Sequence, residues 1–546
     1  QLKQRFVNES GSVVRIFSFF EDRPELVEAL SAIPDAVIIS RSAIAASLAR
    51  DYSREFGRIT LVAMGLVVLM SAVLLKNIRQ VLIVLAPAAA AVPHYTVATD
   101  ERLRQLDVSA CFDGSLPCQL TARHEGAADL LRSARLDKGG DLVELQPQGS
   151  TLPLPRTGVP ACVNYRVDLS DIGKRQWRSG DWRARGVTVL DPDLWLWYPD
   201  GVGADAHWRL DFELPPGFDV SGPWQRTGSS AGKVSYLVRE RMPGWNARMA
   251  IGRFSVESIA LPGGRLRYAL VPGEPPADAA AMREWVTGGA RALVSAYGRL
   301  PVPDAQLLVV PIARGNEPVP WGEVQRGGGD AVHLYIDQRR PAAEFVADWV
   351  LVHELSHLLH PNIAANDRWL SEGIASYYQN VLRARAGLMS AERAWDKLHA
   401  GFQRGIRGTA QGRSLAEASE TMMRDRSFMR VYWSGAAIAL LADVELRRRT
   451  GGGQSLDTAL AAFGACCLPA DRSWTARELL GELDRLTGTG VFMELYRKYV
   501  DSDRFPDLGV LYTDLGLQPI SKTSLRLDPT APQAAIRVAI MRAPRR

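Results

Sequence analysis

The chain has 546 residues, with 65 Lys and Arg against 60 Asp and Glu, a net charge of +5. That length exceeds one ordinary core and asks for several domains, while 47% hydrophobic and 23% charged residues exclude a disordered or fibrous chain. So small a charge gives no footing to nucleic acid as a partner, and five cysteines are too few for a disulfide scaffold.

In chain order, the first feature is residues 59–75 (ITLVAMGLVVLMSAVLL), uncharged and bounded by Arg58 and Lys76. As a helix it would be about 26 Å long, enough to cross a hydrocarbon core, and it is apolar on every face. A second uncharged stretch, 80–99, is interrupted by Pro87 and Pro93; it reads as a spanning helix or a signal-like segment with small residues at 88–91. Lys76 and Arg79 favour a cytoplasmic link between the two. The expectation is one or two membrane helices within 58–93 that anchor the protein in the inner membrane. The catalytic portion would then be extracytoplasmic (periplasmic), or released by cleavage near Val92. The run FGRITLVAMGLVVLMSAVLLKNIRQVLIVLAP resembles the membrane segment of a resistance–nodulation–division-type exporter. That resemblance implies that residues 1–57 are a partial extracytoplasmic segment of such a protein, far short of a whole transporter.

Residues 94–272 carry short alternating runs (WRLDFEL, KVSYLV, RLRYAL) separated by PPG, GPW and PGG turns, the pattern of an all-β, sandwich-like domain. Its tryptophans (Trp177, Trp182, Trp195, Trp197, Trp208, Trp224, Trp245) are expected to pack between sheets. PGEPP at 272–276 marks a boundary. Beyond it, helical patterns at 277–300, 342–360, 367–386 and 428–450, with strand-like runs at 306–310 and 331–336, suggest an α+β catalytic domain over 273–450. A helical domain (451–517) and a tail (518–546) follow. Cys111 and Cys118 are the nearest candidates for a disulfide across a short loop, and no C-x-x-C pair offers a cysteine zinc site.

The informative segment is WVLVHELSHLLHPNIAANDRWLSEGIASYYQN, residues 349–380. His353-Glu354-Leu355-Ser356-His357 is an H-E-x-x-H match, which on a helix puts both imidazoles on one face to bind one metal. Glu354 can then reach an attacking water rather than the metal. Two histidines leave a catalytic zinc one protein ligand short. Glu372, separated from His357 by fourteen residues, stands on a predicted return helix at workable spacing. Three of the chain's eight histidines fall within 353–360; His360, at i+3 from His357, is read as packing or hydrogen bonding at the helix end rather than as a ligand.

H-E-L-S-H followed by W-L-S-E-G-I-A-S-Y-Y resembles the gluzincin metallopeptidases, in particular the aminopeptidase N and glycyl aminopeptidase families. The resemblance implies a β domain, a thermolysin-like catalytic domain and a helical domain in that order. It makes His353, His357 and Glu372 ligands of one Zn2+ and Glu354 the general base. Val431-Tyr432-Trp433-Ser434-Gly435-Ala436 is similar to these families' Y-x-x-G-A helix start, which implies an oxyanion-stabilising role for Tyr432. The inter-helix loop is shorter than in aminopeptidase N, and the G-x-M-E-N motif that holds a substrate's free amino group is absent. WGEVQRGGGD (321–330) stands in its place, with Glu323 or Asp330 as candidates to receive an amino terminus. The expected function is zinc-dependent hydrolysis of peptide or protein substrates, aminopeptidase-like, with exo- and endopeptidase action both open. The alternative is a membrane-anchored inactive binding module or an exporter accessory protein.

Overall fold

The computed structural model describes residues 4–10, 13–19 and 92–543, apart from 157–159, 173–180, 202–206, 240–243, 411 and 469–471. Two compact units divide the chain, Gln1–Ala89 and Ala90–Arg546. In the first, Gln4–Ser10 and Val13–Phe19 pair as an antiparallel hairpin. The expected membrane helices require correction. No helix among the described residues is long and apolar enough to cross a membrane, and the run 59–75 on which the expectation rested lies outside the described residues. The fold class is therefore a multidomain mixture of sheets and helices, and neither the membrane anchor nor the inner-membrane, periplasmic placement drawn from it is retained.

In the second unit an eight-stranded sheet begins at His94–Thr99, and a four-stranded sheet contains Val187–Leu190 and Met249–Gly252. Strand Gln105–Phe112 alternates half-buried and buried positions along its length, the period of a sheet with one face in the core. Trp195, Trp197, Trp208 and Trp224 are fully buried in that core, as expected of packing aromatics, while Trp177 lies outside the described residues. Antiparallel register sets Cys111 directly opposite Cys162, and these two are bonded; Cys118 is free and exposed. Strand pairing, not loop proximity, thus selects the partner of Cys111.

A five-stranded sheet carries the part of this unit that holds the H-E-x-x-H segment, in the order Val256–Leu261, Gly264–Leu270, Asp304–Pro311, Ala331–Ile336, Trp321–Gln325. The two contacts of Asp304–Pro311 are parallel, and the edge strand Trp321–Gln325 runs antiparallel to its neighbour. Leu307, Val309, Val332, Leu334 and Ile336 enter one core with the helices. The helical pattern at 342–360 is broken in two. Asp348 adopts an extended conformation (ψ 155°), so Ala342–Ala347 ends and a new helix, Val350–Ser356, starts, with the Asp348 carboxylate accepting from the Val350 N–H at 2.7 Å. This second piece, the motif helix, continues as a 3-10 turn, His357–Leu359. The chain end also folds: helix Ala534–Ile540 buries Arg537, which donates to the carbonyls of Leu515, Gly516 and Asp528.

Two long helices lie behind the motif helix: the glutamate helix, Arg368–Arg385, and the tyrosine helix, Phe428–Arg449. They cross where glycine meets glycine. A Cβ on Gly435 would stand 1.8 Å from the Trp369 carbonyl oxygen, and one on Gly373 would stand 2.4 Å from the Gly435 Cα. No side chain fits, so the backbones touch and the residues beside the glycines, Glu372 and Tyr432, are drawn into one region. Alanine at Gly435 should gain about 1 kcal/mol in helix propensity but force the helices apart, at a typical overpacking cost of about 1–3 kcal/mol or more. Gly435→Ala is expected to lower the unfolding midpoint in a denaturant titration; an unchanged or raised midpoint would show that the crossing yields easily.

Candidate metal centre

The motif helix places His353 and His357 one turn apart, 3% and 5% exposed, with ring centroids 5.0 Å from each other. The glutamate helix presents Glu372 from the other side. Its Oε2 lies 3.2 Å from His353 Nε2 and 3.6 Å from His357 Nε2, and ligand atoms of all three residues lie within 4.8 Å of one another. The structure therefore brings together the three residues read from sequence as a ligand set.

Hydrogen bonding decides what these atoms offer. His353 Nδ1 meets Gln379 Oε1 at 2.8 Å, an oxygen that only accepts, so Nδ1 carries the hydrogen and Nε2 is a bare lone pair. His357 is fixed through a relay. His360 Nδ1 lies 2.7 Å from the Pro361 carbonyl oxygen and must donate to it, which leaves His360 Nε2 as an acceptor; that atom is 3.2 Å from His357 Nδ1, which must then be the donor. Burial, aided by the Arg326 guanidinium, holds His360 well below the ordinary histidine value, so it stays neutral and the relay persists. Ser371 Oγ, 3.2 Å from His357 Nδ1, shares that hydrogen. In their neutral forms the two rings thus turn bare nitrogens toward one carboxylate oxygen. Such lone pairs repel unless a cation sits among them, and two imidazoles with one carboxylate match the ligand chemistry of zinc.

The electrostatics agree. Burial opposes charge on His353, yet Glu372 and Glu354 raise its pKa. Burial likewise opposes charge on Glu372, yet His357 and His353 hold it far below the carboxylate range. The pocket is built for positive charge. Glu354 stands beside it, 8% exposed, its carboxyl pushed up by burial. Tyr432 lies parallel to the His353 ring at 5.9 Å, with its hydroxyl hydrogen-bonded to Glu372; burial and the two glutamates drive its pKa far upward, so it remains a donor.

The edge strand closes the other side. Gly322 is pressed against Glu354: a Cβ there would stand 2.7 Å from Glu354 Cγ and 2.8 Å from Val350 Cγ1. Alternation turns Glu323 to the opposite face, where it bonds His333 Nδ1 at 3.1 Å. Asp330 pairs with Arg326 at 3.3 Å, and Arg326 donates to the carbonyl of His357 at 2.9 Å, securing the end of the motif helix. Both suggested receivers of an amino terminus are therefore already engaged. Sequence reading had no role for Gln379, yet its position seven residues after Glu372 puts it on the same helix face two turns on, a usable signal. Trp349 is 39% exposed and stands edge-on to His353 at 5.2 Å.

Residues 350–438 match the family model of the M61 glycyl aminopeptidases. An aminopeptidase N family protein from Idiomarina loihiensis has a similar fold, with TM-score 0.59, 15% identity, and 78% of each chain covered. The M1 zinc metallopeptidase of Deinococcus radiodurans aligns at TM-score 0.47 and 16% identity over 79% of this chain and 96% of its own. No curated protein matches the sequence. The exporter likeness of the N-terminal end receives no support from these matches. His360→Ala should weaken zinc binding about 10- to 100-fold, the usual cost of losing a partner behind a ligand. His360→Gln, whose amide oxygen can accept the same hydrogen, should retain most of it in a competition titration with a chromophoric chelator. Because the family match spans both the H-E-x-x-H helix and the glutamate helix, the chain is a zinc metallopeptidase, a hydrolase.

Proposed function

We propose that this chain hydrolyses peptide bonds with one zinc ion held by His353, His357 and Glu372, with Glu354 as general base and Tyr432 as oxyanion donor. The observation that carries the reading is the convergence of two bare Nε2 atoms and one carboxylate oxygen beside a separate buried carboxylate. Zinc bound there supplies Lewis acidity, easing deprotonation of water and polarising a carbonyl.

The residues do the rest. Glu354, denied solvent by the Gly322 backbone, takes the proton from the attacking water and hands it to the leaving amine. The Tyr432 hydroxyl, kept protonated, donates to the developing oxyanion once substrate displaces its bond to Glu372. Gln379 and His360 hold the ligand rings in register. The edge strand offers backbone N–H and C=O groups along the cleft, against which an extended peptide can pair. Aminopeptidase-like action fits the M61 match; the engaged state of Glu323 and Asp330 leaves the choice between amino-terminal and internal cleavage to experiment.

Glu354→Gln should keep its zinc and lose at least about 100-fold in kcat, the usual worth of a general base. Near-normal turnover in a zinc-loaded variant would remove Glu354 from the mechanism. Tyr432→Phe should lower kcat by about 100-fold and change KM little. Peptides with free and with acetylated amino termini separate the two cleavage modes: an exopeptidase releases amino acid from the first only.

A further inference from the structure

Outside the metal centre, one chemically unusual element has no part in the proposed reaction. Cys466 and Cys467, adjacent in sequence, end the helix Leu456–Cys467 and are bonded to each other. The bond sits at the very end of the helix, where Leu468, the residue before Pro469, is already extended. Each sulfur also faces an oxygen: Cys466 Sγ lies 3.4 Å from the Phe463 carbonyl and Cys467 Sγ lies 3.9 Å from Glu482 Oε1. A disulfide has no hydrogen to give these acceptors; two thiols do. The site therefore accommodates both redox states, and Cys466 is exposed to reagents.

The helix end is tied to the metal centre. Phe463 packs edge-on against Trp474 at 5.0 Å. Trp474 forms a β-bridge with Ile363, its N–H donating to the Asn362 carbonyl and its carbonyl accepting from the Ala364 N–H, both at 2.8 Å. The Ala476 N–H donates to Asp367 Oδ2 at 2.8 Å. Residues 361–367 are the linker that carries the chain from His357 to Glu372.

We propose that Cys466–Cys467 is a thiol–disulfide exchange site for a dithiol reductant, and that opening it loosens the strap on the 361–367 linker. One thiolate of the reductant attacks Cys466 Sγ, the Cys466–Cys467 bond breaks, and Cys467 leaves as a thiolate that takes up a proton. The second thiol of the reductant, as thiolate, then displaces Cys466 and closes the reductant's own disulfide, so two electrons and two protons pass to the pair. The effect reaches the linker through Phe463 and Trp474, and it is independent of the peptidase mechanism because its readout is backbone exchange.

The test treats the full chain with graded dithiothreitol, alkylates the free thiols for mass spectrometry, and follows amide hydrogen exchange at 362–364 and 474–476. Cys466 and Cys467 should become alkylated before Cys111 and Cys162, with exchange at those amides faster by about tenfold. Untreated Cys466→Ser/Cys467→Ser protein should already show the faster exchange and respond no further, which separates the effect from any stripping of zinc by the reagent. A pair that resists reduction until Cys111–Cys162 has opened, or an opened pair that leaves exchange unchanged in the wild-type chain, would overturn the proposal.

Discussion

Three electron-pair donors forced together without a proton are the constraint around which this catalytic half is organised. Gln379 and His360 hold the one hydrogen of each neutral ring from behind, so His353 and His357 turn their lone pairs toward Glu372. Unfilled, such an arrangement costs energy through mutual repulsion and lost hydration. The surrounding core has to hold it, and it does so with the shortest contact available, backbone against backbone at Gly373 and Gly435. Motif helix, glutamate helix and tyrosine helix are thus three supports of one unfavourable cluster that a cation makes favourable.

The same economy appears in how partners are used. Arg326 neutralises Asp330 and also caps the motif helix; Ser371 shares a hydrogen already given to His360; Asp367, at the end of the linker, anchors the start of the distant helix Ala476–Thr487 through the Ala476 N–H. Few polar groups in this region act alone, so replacing any one disturbs two elements.

Much of this was legible in the sequence because the chemistry is local. H-E-x-x-H, the spacing to Glu372 and the Y-x-x-G-A start each lie within one or two elements, where helical period decides which residues share a face. The break at Asp348 was not legible, since the apolar pattern runs through it and only the backbone turn reveals two helices. The Cys111–Cys162 bond depends on strand register over a separation of 51 residues, which no short motif encodes. The hairpin at 256–270 looked like more of the β domain because its strands alternate in the same way; only parallel pairing with Asp304–Pro311 shows which sheet takes it. The membrane reading rested on the apolarity, length and flanking charges of a run that lies outside the described residues, and such properties do not by themselves say what covers a helix.

The edge strand carries a liability as well as a use. A strand whose outer backbone groups must stay open for a peptide is equally open to a second copy of itself, and Trp321 upon it is 49% exposed. Its five residues sit between Pro320 and the glycines at 327–329, too short and too sharply bounded to template a long ladder. The brevity that limits how much of a peptide can be gripped is thus the same property that keeps crowded molecules from stacking edge to edge.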